Sequence, residues 1–327
     1  MDKEAEYRAL LSKRGLSSEK IDKFVASVEK AMAYFGERGV VLAEGSVDDF
    51  RDYVAYLMAR CENSYDDLVP LARYVNLLGM KEAYVYYASI LGGNPIFPSI
   101  KERLGKIAGE EMRDRVFNHV RQPPLGSDPG AYPPATKQLM EQLERELPVE
   151  EYRRVLAGNH HRVPVDAFMV QKRWLEEMGD IDAWLTRVHD SVVAELDEHR
   201  NANRIWYEQV ITQGVVDLVR GDPELLSGLR IGDWIYTKKF PYSPQAYLDE
   251  KDPTKKRYYM CHCPLAREAI LSGEPSIPMD WCYCSAGYDK LRYDVAFGEE
   301  TEVEVLESVF GGSDRCRFRV RIPERWR

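Results

Sequence analysis

The stretch TEVEVLESVFGGSDRCRFRVRIP, residues 301–323, decides the fold class of this chain. Its first half alternates apolar with charged residues, and its second half alternates Cys316, Phe318 and Val320 with arginines. A two-residue period is typical of a strand with one buried face, and Gly311 and Gly312 supply the turn between two such strands. The stretch therefore predicts an antiparallel pair whose arginines face solvent or an acidic partner.

The residues before this pair extend the prediction to a small module over 221–327. LRIGDWIYTKKFPY and RYYMCHC are rich in β-branched and aromatic residues, as strands are. CPLAREAILSG and SAGYDKLRYDVAFG have the pattern of short helices, the second with Ser285 as its cap and Gly298 as its end. We expect a C-terminal α+β module with an antiparallel sheet.

The first two-thirds of the chain predicts helices. Residues 1–95 contain repeated apolar residues at helical spacing behind serine caps such as Ser46, and they predict a helical bundle. Residues 96–220 predict a further helical region, with a Pro- and Gly-rich connector at 122–137 and breaks near Gly179 and Gly214. The expected fold class is α+β, mostly helical in its first two-thirds.

Composition bounds the classes of function. The chain has 327 residues, 44% of them hydrophobic, and a formal net charge of −9. An acidic balance argues against a broad nucleic-acid surface, since phosphate contacts need a basic face. The charged N-terminus lacks an apolar signal region and no apolar run reaches membrane length, so the expected location is cytoplasmic, without membrane partners.

Two Cys-x-Cys pairs dominate the C-terminal module: Cys261 and Cys263, then Cys282 and Cys284. In an extended chain both sulfurs of such a pair project from one face, with Cα atoms roughly 7 Å apart. Four thiolates satisfy a tetrahedral zinc site, and they could equally hold an iron–sulfur cluster. His262, between the first two thiols, could replace one of them. Redox thiols and simple packing are the alternatives.

Other residues accompany these pairs. Arg267 and Lys290 follow the two pairs by about one helical turn, where a cation depresses thiol pKa values and can hold an anionic ligand. Ordinary solvated helix faces are the alternative. Cys61 is expected in a helical core, and Cys316 is expected to pack in the core or to act as a fifth thiol.

Three candidates for acid–base chemistry lie in the helical region. His160 and His161 stand in a Gly/Asn-flanked turn, and Glu208 lies in the aromatic context WYEQ. Any of the three could serve as a general base if the helical part folds over the cysteines. For the histidines, a favourable position at a helix C-terminus is the alternative explanation.

The segment KIDKFVASVEKAMAYFGERGVVLAEGSVDDFRDYVAYL resembles the SAM-like core-binding domain of phage-type integrases. The resemblance covers less than a third of the chain. The Arg, His and Tyr series of the recombinase catalytic domain does not follow it, so recombination is not implied. DNA contact is the most that this resemblance implies.

The cysteine segments, together with VEVLESVFGGSDRCRFRV, look like the end of 4-vinyl reductase domains and L-2-amino-thiazoline-4-carboxylate hydrolase-like proteins. More closely, they look like an uncharacterised bacterial family with a CHCP…WCYC signature. Such modules bind small ligands or metals in α+β domains, so the resemblance implies a ligand pocket near the cysteines. It does not transfer a reaction.

Three hypotheses for function follow from the sequence. The first is a metal- or cluster-binding protein, with zinc or an iron–sulfur cluster and a pocket for a small-molecule ligand. The second is a metal-dependent hydrolase acting on a C–N or C–S bond of a small substrate. The third is a DNA-associated regulator that uses the N-terminal helices. Whether the protein is an enzyme stays open, as does its oligomeric state.

Overall fold

The structure is a computed structural model that describes residues 1–327. It divides into two compact units, each with its own core. Unit 1 contains Met1–Asn94 and Gln122–Asp128, and unit 2 contains Pro95–Arg121 and Pro129–Arg327. Unit 2 therefore includes most of the predicted second region and all of the predicted C-terminal module. None of the helices has both the length and the apolar character that crossing a membrane requires.

Unit 1 is all-helical, as its sequence predicts. Its helices are α1 (Glu4–Lys13), α2 (Ser18–Glu37), α3 (Val47–Ala59), α4 (Tyr65–Leu77) and α5 (Lys81–Leu91). The starts of α3 and α4 are fixed by two capping boxes, in which Ser46 pairs with Asp49 and Ser64 pairs with Asp67. Each box satisfies backbone donors that the first helical turn leaves free.

The core of unit 1 is aromatic. Phe35 and Phe50 pack with ring centroids 5.0 Å apart, and Tyr53 is also buried in this core. The apolar stripe of α2 is buried as predicted. The prediction for Cys61 is wrong: it is exposed, because α3 ends at Ala59 and Cys61 itself, with φ 56, lies in the left-handed turn that follows.

Unit 2 begins with helices that surround the later module. They are α6 (Ile96–Ala108), α7 (Glu110–Phe117), α8 (Tyr132–Glu146), α9 (Val149–Leu156), α10 (Met169–Met178), α11 (Ile181–Asn201) and α12 (Gln213–Arg220). The predicted connector ends earlier than expected, because Pro133 lies in the first turn of α8, where a proline costs no hydrogen bond. Gly179 ends α10 with φ 63 as predicted, and the second predicted break lies at residues 202–212, just before Gly214 in the first turn of α12.

The sheet of unit 2 has four antiparallel strands in the order β1-β2-β4-β3. The strands are β1 (Leu229–Ile231), β2 (Trp234–Lys238), β3 (Val303–Glu307) and β4 (Arg317–Arg321). Val320 pairs with Ile235 on one side and with Val303 on the other. Phe318 and Val320 are fully buried, which confirms the predicted alternation and the α+β class.

The arginines of β4 face away from that core and are paired within this chain. Arg317 donates to Glu224, and Arg319 donates to Glu304. Both guanidinium groups also lie over aromatic rings of β2. The acidic partner that the sequence allowed for these arginines is therefore the chain itself.

Four short helices lie between β2 and β3: α13 (Pro244–Asp249), α14 (Pro253–Met260), α15 (Glu268–Ser272) and α16 (Tyr283–Phe297). The strand predicted for RYYMCHC is wrong, since Arg257–Met260 belongs to α14. Asp252 caps α14 by accepting hydrogen bonds from two backbone N–H groups, and Pro253 occupies its first position. Ser285 is not a cap, because α16 already begins at Tyr283.

Candidate functional site

Three chain segments of unit 2 converge behind the sheet. The segment that follows β2 runs between the other two, since the Lys239 N–H donates to the Cys316 carbonyl at 2.9 Å. Further along, the Tyr242 N–H reaches the Met260 carbonyl at 3.4 Å. The residue after Met260 is Cys261, so backbone hydrogen bonds bring the first cysteine pair and Cys316 to the same place.

Five thiols line one cavity of about 40 Å³ in this region. They are Cys261, Cys263, Cys282, Cys284 and Cys316. The cavity wall also includes His161, Lys239, His262 and Trp281. This space is far smaller than the roughly 300–1,000 Å³ of a drug-sized pocket, so it suits an ion or a ligand of a few atoms.

The conformation expected for the second cysteine pair is wrong. Cys282 ends a 3₁₀ turn, Met279–Cys282, and Cys284 is the second residue of α16. Residues two apart on a helix point about 200° apart, so these sulfurs do not share a face as they would on a strand. Both nevertheless line the cavity, whereas the first pair is extended at Cys261 as predicted.

The thiols are free and are not arranged as a finished metal site. None of the cysteines forms a disulfide, and no three His, Cys, Asp or Glu side chains are placed to hold one ion. A cysteine side chain has three staggered rotamers, so its sulfur can turn without backbone movement. The zinc ion or cluster predicted from the sequence therefore stays a prediction.

Several N–H groups point at the sulfurs. The Trp281 indole N–H donates to Cys263 Sγ at 3.2 Å, and the backbone N–H groups of Leu265 and Ala266 also donate to it. Burial still raises the pKa of Cys263 above its usual value, with these donors opposing the rise. Donors to sulfur stabilise the thiolate form and are a common outer shell of thiolate-bound metals.

Cys282 and Cys316 form a hydrogen-bonded pair. Their mutual hydrogen bond raises the pKa of Cys282 and lowers the pKa of Cys316, so Cys316 is the thiol that loses its proton more readily. A hydrogen bond from the Val309 N–H also lowers the pKa of Cys316. Cys282 Sγ lies 2.9 Å from Ser308 Oγ.

Lys239 is the one lysine or arginine on the cavity wall. The side chain of Lys239 is only partly exposed. Burial lowers the pKa of Lys239, while Asp289 and the thiols of Cys316, Cys284 and Cys261 act in the opposite direction. Its Nζ lies 4.1 Å from the ring centroid of Tyr288.

The two imidazoles on the cavity wall are neutral. Burial lowers the pKa values of His161 and His262 to about 3. His262 Nε2 lies 2.6 Å from the Phe240 carbonyl oxygen, which requires the proton on Nε2 and leaves the lone pair on Nδ1. This is the tautomer control that metal-binding histidines usually have.

The structure separates the candidate histidines. His161 lies on the cavity wall, edge-on to Tyr288 with ring centroids 5.1 Å apart. His160 is buried instead, and its ring nitrogens lie 3.0 Å from Ser99 Oγ and 2.9 Å from the Val155 carbonyl oxygen. Both nitrogens of His160 are thus used in packing α6 and α9 against its loop.

The remaining sequence candidates lie in two places. Glu208 and Arg267 lie beside the cavity, where both side chains interact with the Tyr242 hydroxyl. Lys290 is buried on α16 but does not line the cavity, since its Nζ donates to Asp294 at 2.6 Å.

Lys239 was missed by the sequence interpretation, although a signal existed. Adjacent residues of a strand point to opposite faces, so one of Lys238 and Lys239 had to face inward. Lys238 pairs with Asp222 at 2.6 Å on the outer side, which leaves Lys239 on the cavity wall. Which of the two lysines faces inward depends on where β2 ends, and the sequence does not show this end.

Comparison with known proteins gives one match. A protein-family model described as a family of unknown function (DUF6144) matches residues 246–326. The matched range contains all five cysteines of the cavity but neither His161 nor Lys239. No curated protein and no solved structure matches the chain.

Proposed function

We propose that the protein binds a single thiophilic metal ion, zinc in the first instance, in the thiol cavity of unit 2. Cys261, Cys263, Cys282 and Cys284 are the proposed ligands. The observation that carries this proposal is that five thiols and two neutral imidazoles line one small cavity. Thiolate sulfur and imidazole nitrogen are the donors that zinc prefers.

Charge supports the proposal. Four thiolates around a divalent cation carry a net charge of −2, which is costly in a buried site unless a positive group lies close. Lys239 provides such a group, because its ammonium interacts with the thiols of Cys261, Cys284 and Cys316. The N–H donors around Cys263 supply further compensation.

The size of the cavity favours one ion over a cluster. A four-iron cluster has eight heavy atoms, whereas about 40 Å³ accommodates an ion with one or two small ligands. Five thiols also exceed the four that a tetrahedral site needs, so Cys316 can serve as a reserve ligand or remain the hydrogen-bond partner of Cys282.

A metal-dependent hydrolase is the second candidate. The observation that favours it is His161, a neutral imidazole on the cavity wall with no hydrogen bond to either ring nitrogen. A neutral imidazole with a free nitrogen can accept a hydrogen bond from a water molecule and orient it beside a metal ion. Its test is hydrolysis of a chromogenic acetyl thioester by zinc-loaded protein: His161→Gln should lose this activity and keep its metal.

The DNA hypothesis receives less support. Residues 1–94 contain fifteen acidic and twelve basic residues, which is opposite to the balance of a phosphate-binding face.

Metal analysis of anaerobically purified protein tests the main proposal. We expect about one zinc per chain and no visible absorption, because zinc is colourless and a cluster is not. The double variant Cys261→Ser/Cys282→Ser keeps only three of the five thiols and should lose at least nine-tenths of the metal. Circular dichroism should confirm that this variant is folded.

The matched control is Cys61→Ser, which removes an exposed thiol of unit 1. This variant should keep its full metal content. A double variant that is folded and still binds one equivalent of zinc would contradict the proposed ligand set.

A further inference from the structure

Arg267 is a mostly buried arginine whose contact with the Glu268 carboxylate is too long for a hydrogen bond. Its guanidinium lies between two aromatic rings, 4.3 Å from the centroid of Tyr242 and 4.8 Å from that of Tyr258. Its Nε is buried and has no hydrogen-bond acceptor. The carboxylate oxygen recorded closest to it, Glu268 Oε1, is 3.6 Å from Nε and already accepts a hydrogen bond from the Tyr258 hydroxyl.

Two other arginines of unit 2 donate paired hydrogen bonds to a carboxylate. Arg153 donates two hydrogen bonds to Asp280, at 2.8 and 3.0 Å. Arg317 donates two to Glu224, both at 2.7 Å. Each of these guanidinium groups has a forked carboxylate partner in the chain, whereas Arg267, with only 15% of its side chain exposed, does not. A buried donor left unpaired is costly, which calls for a partner from outside the chain.

The neighbouring carboxyl group does not fill this role. Glu208 interacts with the Tyr242 hydroxyl, whereas its carboxyl and Arg267 interact only through their charges. Burial raises the pKa of Glu208, which brings its carboxyl closer to the neutral form. The Tyr242 hydroxyl thus stays in contact with both groups, and Arg267 has no forked carboxylate partner.

Arg267 does not line the thiol cavity, but the Tyr242 ring on which it stacks connects it to the cavity wall. The Tyr242 ring packs edge-on against His262 with centroids 5.4 Å apart, and His262 is on the cavity wall. The charge of Arg267 acts on the Cys261 thiol, which lines the same cavity. A ligand held by Arg267 would therefore have its other end near the sulfurs.

We propose that Arg267 binds the carboxylate of a small organic acid beside the thiol cavity. A planar guanidinium matches a carboxylate through two parallel hydrogen bonds, and the unpaired Nε provides one donor of that fork. The small cavity limits the rest of the ligand to a few atoms. Binding at Arg267 does not require a metal ion, so it goes beyond the function proposed above.

Titration calorimetry of metal-free protein with acetate and pyruvate as probes tests this inference. Arg267→Met should weaken the binding of both at least tenfold. Arg267→Lys should weaken it several-fold, because an ammonium keeps the charge but cannot form the fork. The matched control is Arg187→Met, since Arg187 also stacks on an aromatic ring, 4.4 Å from the centroid of Trp174, but lies on α11 and not in the cysteine-bearing segment.

Two results would overturn the inference. The first is unchanged acetate affinity in Arg267→Met, or in Arg267→Lys if the methionine variant does not fold. The second is inorganic phosphate binding to the wild type as tightly as acetate, which would indicate a general anion site instead.

Thermal stability separates this role from a structural one. An arginine that serves the fold would leave Arg267→Met less stable than wild type, which would also count against the proposal. An unpaired cation kept for a ligand predicts a melting temperature at least equal to that of wild type. If Cys261→Ser/Cys282→Ser loses its metal and still binds acetate, carboxylate binding at Arg267 does not depend on the proposed metal site.

Discussion

Gly287→Ala should destabilise unit 2, because α16 touches the backbone of another segment at this glycine. A Cβ added at Gly287 would lie 2.5 Å from the Ala157 carbonyl carbon and 2.6 Å from the Gly158 carbonyl oxygen. Ordinary contacts begin at 3.4 Å, so the two segments must separate by roughly 1 Å. Backbone atoms cannot rotate away as a side chain can, and the displaced segment leads directly to His161.

The magnitude follows from two opposing effects. Overpacking of this kind lowers the free energy of unfolding by about 1–3 kcal/mol. We expect a loss near the upper end of this range, because the added Cβ meets backbone atoms, which cannot move aside. Replacing a helical glycine by alanine returns up to about 1 kcal/mol. We therefore expect a net loss of about 2 kcal/mol, which in a unit of this size lowers the melting temperature by roughly 4–8 °C.

Thermal unfolding followed by near-ultraviolet circular dichroism measures this change. The matched control is Gly214→Ala on α12, whose added Cβ would have its closest neighbour at 3.6 Å, an ordinary contact. That variant should be neutral or stabilised by up to about 1 kcal/mol. If Gly287→Ala were as stable as wild type, the close approach of α16 to residues 157–158 would be refuted.

Three further predictions test other parts of the structure. Burial lowers the pKa of His160 to about 4, below the unfolded value of about 6.5. Its neutral form therefore stabilises the fold above pH 6.5, and this advantage over His160→Gln should shrink by about 3 kcal/mol as the pH falls from 7 to 4, measured by urea unfolding. Arg317→Met leaves Glu224 buried without its forked partner and should cost about 3 kcal/mol in the same assay; a loss below about 1 kcal/mol would contradict the importance of the pair. Ser46→Ala removes a capping box of α3 and should destabilise unit 1 by about 1 kcal/mol, and an unchanged urea midpoint would mean that the cap contributes nothing.

The helices of unit 1 and the last two strands could be predicted because their signals are local. The cap at Ser46 and the apolar spacing of α3 lie within a few residues of each other. The alternation of Phe318 and Val320 with arginines likewise predicts a strand from neighbouring residues alone. In both cases burial of one apolar face stabilises the helix or strand, and the spacing of the apolar residues shows which face is buried.

The prediction for α14 was wrong because one local signal outweighed another. Tyr258 and Tyr259 favour a strand by their residue types, but Asp252 and Pro253 begin a helix just before them. Capping and the fixed φ of proline decided the conformation, and the aromatic residues followed. The α16 start was misplaced for a similar reason, since Cys282 and Cys284 were assigned to an extended segment.

The cavity itself could be predicted only in part. Its paired cysteines are visible in the sequence, but His161 and Lys239 come from elements far away along the chain and bear no local mark. The positions of His161 and Lys239 on the cavity wall depend on the close approach of α16 to Gly158 and on the backbone hydrogen bond from Lys239 to Cys316. Such contacts are set by tertiary packing, which residue spacing does not encode.

X-ray absorption spectroscopy of zinc-reconstituted protein tests the proposed metal site most directly. Thiolate coordination predicts a first shell dominated by sulfur at about 2.3 Å, with three or four sulfur atoms per zinc. A first shell made only of oxygen and nitrogen at about 2.0–2.1 Å would place the metal elsewhere and contradict the account.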